Sequence, residues 1–217
     1  MIVAIACQVP GPGRAKRFNL PTPIVIPDLA GVPKVGHAIA SRGTPGPTGT
    51  TKEEDMADLN TLEEKLGEVT GLAAAAQDVT KKVEELLGDD SDLIPALRKQ
   101  REEAEETERR CTEVAGEREG KKTAILDKAA ETKKEAKAFM DIYLDEESDE
   151  LDGYEFLTMT EAGEVGHWKI LGKVNETAGE SSIATLVDWA LPIQERHESE
   201  VREAALTLAA DEDPYEA

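Results

Sequence analysis

Residues 150–175 read ELDGYEFLTMTEAGEVGHWKILGKVN, and the spacing of their apolar residues decides the fold class. On a wheel of 3.6 residues per turn, Leu157, Trp168 and Leu171 mark one face. Glu164 falls in the middle of that face, Glu161 flanks it on one side, and Thr160 and His167 flank it on the other. A carboxylate aimed into an apolar seam is costly unless it is paired, protonated or coordinated. The stretch therefore reads as an amphipathic helix carrying a polar group that needs a partner.

Working outward, the next segment repeats the pattern. Gly179 ends the connection, and residues 182–210 place Ile183, Leu186, Ala190, Ile193, Val201, Ala204 and Leu208 on one stripe with His197 near its centre. Gln194 and Glu200 stand three residues to either side of His197. Helices joined by a short loop pack antiparallel, so Glu164 and His197 are expected to face each other near mid-height. Pro192 precedes His197 by about one turn; a kink there either opens space for a ligand or adjusts packing.

In the other direction, Ser148 or Asp149 offers the N-cap, without the Glu or Gln three residues on that would complete a capping box. Ile125, Ala129, Thr132, Ala136, Met140 and Tyr143 form an earlier stripe, and Leu93, Leu97, Ala104, Cys111 and Ala115 one before that. Gly116 and Gly120 bracket a hinge between the two, but with no Pro nearby residues 92–144 fit one long helix or two. Ser91 or Asp92 can cap this region, with Pro95 in the first turn. The first helix carries Leu62, Leu66, Val69, Ala73, Ala76, Val83 and Leu87, with Thr61 and Glu64 as its capping box and Gly88 as its stop. No strand pattern of useful length interrupts the series. The expected fold is all-α: an antiparallel four-helix bundle from residues 92–210 with an extra amino-terminal helix, surplus to the core and available for self-association.

Composition bounds the rest. Aromatic residues make up 4% of the chain, so the core must be thin and built mainly from Leu, Val, Ile and Ala. Forty-six acids against 25 Lys and Arg give a formal net charge of −21, which repels nucleic-acid phosphates and anionic lipid headgroups. Residues 1–55 form a separate arm dense in Pro and Gly, expected to be extended or disordered. Arg14, Lys16, Arg17, Lys34, Arg42 and Lys52 stand against Asp28 alone over residues 1–52. The arm reads as a solvated basic tail or as an over-extended start, because Met56 opens a run like an ordinary protein start. Residues 56–210 are the bundle and 211–217 an acidic tail. Cys7 and Cys111 make neither a disulfide framework nor a metal motif. With no apolar run of membrane length at the start, the expectation is a cytoplasmic protein.

Glu164 and His167 form a Glu-x-x-His pair, which projects both side chains from one helical face. In ferritin-like carboxylate proteins such pairs on two helices, with a Glu from each of two others, hold two metal ions. The segments Glu161–Trp168 (EAGEVGHW) and Leu191–Glu198 (LPIQERHE) resemble those of uncharacterised bacterial helical proteins near the ferritin-like superfamily. The resemblance implies a four-helix bundle and, by analogy, metal ligands. Glu164 and His167 match the Glu-x-x-His motif. Gln194 stands where the Glu before His197 belongs, and the earlier helices offer no His, with Glu108 the one carboxylate near a stripe.

These departures point away from a two-metal centre and toward one iron or manganese ion held by Glu164, His167, His197, Glu161 and Glu200. A role in metal handling or oxidative-stress protection follows from that site, and mixed imidazole and carboxylate donors suit iron or manganese. The alternative is a non-catalytic interaction or scaffold protein in which Glu164 and His197 make a structural pair. There the apolar stripe Leu62–Leu87 would stay open for an unknown protein partner. Cys111, on an apolar stripe, reads as core rather than nucleophile.

Overall fold

The computed structural model describes residues 58–89 and 91–215. Among them are five helices and no strand: α1 (Thr61–Glu84), α2 (Ile94–Gly116), α3 (Lys122–Tyr143), α4 (Glu150–Ala178) and α5 (Ser181–Asp211). The chain is therefore all-α over the described residues, and residues 92–144 form two helices. The break is fixed at Gly120, whose φ of 71° lies in the left-handed region that favours glycine. The expected disordered arm falls outside the described residues. No helix among the described residues is long and apolar enough to cross a membrane.

The helix starts follow the expected chemistry at shifted positions. Asn60, rather than Thr61, caps α1, and its partner in the reciprocal box is Glu63, not Glu64. Asp149 caps α4 and completes a box with Asp152, where an acid one methylene shorter than Glu makes the return bond. Neither Ser91 nor Asp92 is the N-cap of α2, which begins beyond Leu93 without a side-chain cap.

Contacts between helices set their directions. Glu84 on α1 pairs with Arg98 and Arg101 on α2, while Gln77 meets Glu108, so the two run antiparallel. Arg118 with Glu180 at one end and Glu103 with His197 further along make α2 and α5 antiparallel. Lys169 with Glu195 and Glu161 with His197 do the same for α4 and α5. Glu68 with His167, and Gly88 N–H donating to Glu150, close the circuit between α1 and α4. Thus α1, α2, α5 and α4 form a ring of antiparallel neighbours.

The helix outside that ring is α3, not α1. It runs parallel to α1 and presses on it closely: a Cβ added at Gly71 would overlap the Ala129 carbonyl. The stripe Leu62–Leu87 is consequently buried in the core rather than open, with Leu66, Ala73 and Val83 fully covered. α1 is the helix that α2, α3 and α4 all pack against.

The core divides into two apolar clusters. One joins Leu66, Val69, Cys111, Ile125, Trp168, Leu171, Ile183 and Ala190. The other joins Val79, Val83, Leu97, Met140, Phe156, Leu157 and Val201. On α2, α4 and α5 the residues between the two clusters include buried polar ones, and this interruption positions the candidate site.

Candidate functional site

Gln100 and Thr107 on α2, Glu161 and Glu164 on α4, and Gln194 and His197 on α5 are all buried between the apolar clusters. α1 faces the same level with Ala73, whose small side chain supplies no polar group. Burying an unpaired carboxylate costs several kcal/mol, roughly, so the partners decide what this layer is.

His197 is the best partnered member, with 2% of its side chain exposed. Its Nε2 lies 2.8 Å from Glu103 Oε2, and Arg196 donates to the same oxygen at 2.7 Å. Burial pushes the His197 imidazole below its ordinary pKa, against the pull of Glu103. Burial pushes the Glu103 carboxyl up, but the bonds from His197 and Arg196 outweigh it and hold Glu103 in its charged form. A neutral imidazole donating from Nε2 leaves Nδ1 as a bare acceptor. That nitrogen faces Glu161 Oε2 at 3.8 Å.

The two α4 carboxyls lack such support. Glu161 Oε2 and Glu164 Oε2 have no hydrogen-bond partner, and the Oε1 atoms of Gln100 and Gln194 are equally without donors. Two buried donors nearby, Trp168 Nε1 and Arg196 Nη1, are also without hydrogen-bond partners, so the unpaired acceptors outnumber the unpaired donors by four to two. Burial, then the neighbouring Glu164 and Glu198 charges, push Glu161 well above the usual carboxylate range. Burial alone pushes Glu164 up to about 7. A protonated carboxyl turns an acceptor into a donor, which is the chemistry the layer lacks.

The five residues expected to share one ion are dispersed. Glu161 and His197 approach each other in the interior, and Glu164 is buried beside Glu161 on the same helix face. His167 turns instead to α1, its Nδ1 3.1 Å from Glu68 Oε2, with 39% of its side chain exposed. Glu200 is exposed and stands 3.7 Å from Arg196. Glu108, the nominated fourth carboxylate, accepts from Gln77 Nε2 at 2.6 Å. Among the described residues no three His, Cys, Asp or Glu side chains are gathered so that they could hold one metal ion.

Cys111 is wholly buried, as its place on the apolar stripe predicts. Burial pushes its thiol up to about 12, which keeps it protonated and unreactive. Trp168 is buried in the apolar cluster beside the layer, and Trp189 lies under the Arg110 guanidinium, 4.0 Å from ring centroid to Cζ. The groove between the end of α4 and the start of α5 is lined by Lys169, Gly172, Asn175, Val187 and Leu191, and by neither tryptophan.

Glu103, Gln100 and Glu68 were not among the sequence candidates. Gln100 and Thr107 fall on the stripe of Leu97, Ala104 and Cys111 at helical spacing, so polar residues on the buried face of α2 were a readable signal. Glu103 flanks that stripe in a run crowded with acids, and only the partner helix singles it out.

No family model matches the chain, and neither a curated protein nor a solved structure is significantly similar to it.

Proposed function

We propose that the chain is a ferritin-like four-helix bundle of α1, α2, α4 and α5, with α3 as the crossover connection, and that it works as a non-catalytic interaction protein. The ring of antiparallel neighbours supports the first part. Ferritin-like bundles join two hairpins by one long crossover, and here α1–α2 and α4–α5 are the hairpins. One observation carries the second part: the histidines and outer carboxylates that a metal would need are each engaged by a separate protein partner. His197 is held by Glu103, His167 by Glu68, and Glu200 lies beside Arg196. In this reading Glu161 and Glu164 are neutralised by protons, and the polar layer fixes helix register.

A second reading, one iron or manganese ion in the layer, is favoured by the buried oxygens of Glu161, Glu164, Gln100 and Gln194 that lack donors. An ion would have to draw Glu161, Glu164 and His197 closer together than they stand here, and its positive charge would then satisfy the two carboxylates, with metal handling or oxidative-stress protection as the role. His167 and Glu200 drop out of that ligand set because of where their side chains point.

Elemental analysis of the full chain, expressed with added iron and manganese beside a His197→Ala control, separates the two. The interaction reading expects both proteins metal-free and the control melting lower. Near-stoichiometric metal that disappears in the control would overturn it in favour of the ion.

A further inference from the structure

Eight residues of the chain are aromatic, and Phe139, Tyr143, Tyr154 and Phe156 are gathered at the end of α3 and the start of α4. Phe156 is buried and forms a floor, with ring centroids 5.5 Å from Phe139 and 5.6 Å from Tyr143. Phe139, Ile142, Tyr143 and Met159 are left exposed, Ile142 at 77%. Scattered single apolar residues need no explanation, but large ones on adjoining helix faces mark interaction surfaces. Aromatic residues and Met are the types enriched at such surfaces.

The segment that borders this face beyond Lys133, Lys134 and Lys137 of α3 carries charge of one sign. Residues 141–155 contain eight acids and no Lys or Arg. Asp141 is paired with Lys137, while Asp149 and Asp152 cap α4. The side chains of Glu146, Glu147 and Glu155 have no ion-pair partner among the described residues. Burial and the charges of Asp152 and Asp149 push Glu155 upward, as expected where negative potential is uncompensated. Two copies of this chain meeting here would bring like charges together, and an anionic membrane would be repelled.

We propose that the exposed face of Phe139, Ile142, Tyr143 and Met159 docks a basic amphipathic segment of another protein. Its apolar side chains would lie over the aromatic floor and its Lys or Arg side chains against the acidic rim. An amphipathic helix laying its apolar side on an apolar surface is a recurring mode of peptide recognition, with charge setting the partner's sign. The proposal rests on the interaction-protein reading and names the chemistry of the partner.

The test uses the full chain and a fluorescein-labelled peptide of about 18 residues, Leu and Lys at amphipathic helical spacing. The same peptide with Glu for Lys is the control, and anisotropy is read at about 150 mM salt. The Lys peptide is expected to bind wild type, and the Glu peptide is not. Affinity should fall by about tenfold or more for Ile142→Asn/Met159→Asn, whose melting temperature should stay near wild type because both side chains are exposed. Glu146→Gln/Glu147→Gln/Glu155→Gln should weaken binding with the apolar face intact. Equal affinity in the apolar variant would reduce the binding to diffuse charge and overturn the proposal, as would no binding to wild type. Concentration-dependent dimerisation in sedimentation, lost in the apolar variant, would assign the face to a second copy instead. A metal-loaded protein that fails to bind the peptide sinks the underlying reading; a metal-free one that fails sinks only this proposal.

Discussion

Two Glu–His pairs cross between helices of this bundle, and they differ in what surrounds them. Glu103–His197 joins α2 to α5 with the imidazole 2% exposed, whereas Glu68–His167 joins α1 to α4 with the imidazole 39% exposed. The distances are alike, 2.8 and 3.1 Å. Water supplies the outer pair with alternative partners, and Lys65 also bonds Glu68. The inner imidazole has no such substitute, and its loss would strand Glu103 against Arg196 alone and leave Glu161 facing a void. Burial, not the presence of a pair, sets the energetic weight.

Substitutions can sharpen or break that contrast. His197→Ala should have the largest effect, lowering stability by about 2–4 kcal/mol in urea unfolding, because a buried hydrogen-bonded group and its packing are both removed. Glu103→Gln should cost about 1–2 kcal/mol, since an amide oxygen still accepts from His197 but without charge. His167→Ala should cost less than about 1 kcal/mol, as expected of an exposed pair. If His167→Ala were as damaging as His197→Ala, the distinction by burial would fail.

Much of the fold was legible because each helix carries a 3.6-residue apolar stripe, and those of α4 and α5 also placed Glu164 and His197 in the interior. Assembly was less so. The stripe of α1 looked available for a partner, but helical periodicity says that a face is buried and not which helix covers it. The close approach of α3 depends on Gly67 and Gly71, which lie on the face of α1 away from the ring. The candidate site divided along the same line. Glu161 and Glu164 were visible as acids on an apolar face, whereas Glu103 and Glu68 gain their roles only from contacts more than ninety residues apart in sequence. His167 flanks its stripe, and its imidazole turns to Glu68 on α1 rather than to the layer.

The central claim is that protons, rather than an ion, neutralise the interior carboxyls. Glu164 is pushed from the ordinary 4.5 up to about 7 by burial, so between those values the folded state binds a proton that the unfolded chain has released. Its contribution must then weaken wild type as pH rises, by about 3 kcal/mol once pH passes the folded value. Glu164→Gln carries no such proton; groups that Glu164 does not perturb, His197 included, cancel in the difference, while Glu161 is relieved of the Glu164 charge in the variant, which adds to the effect in the same direction. The most direct measurement is urea unfolding of wild type and Glu164→Gln at about pH 5 and about pH 8 in chelator-treated buffer. Similar stabilities are expected at the lower pH, and a variant more stable by about 3 kcal/mol at the higher one. A difference that ignores pH, or a variant that is the less stable protein at the higher pH, would contradict the central claim.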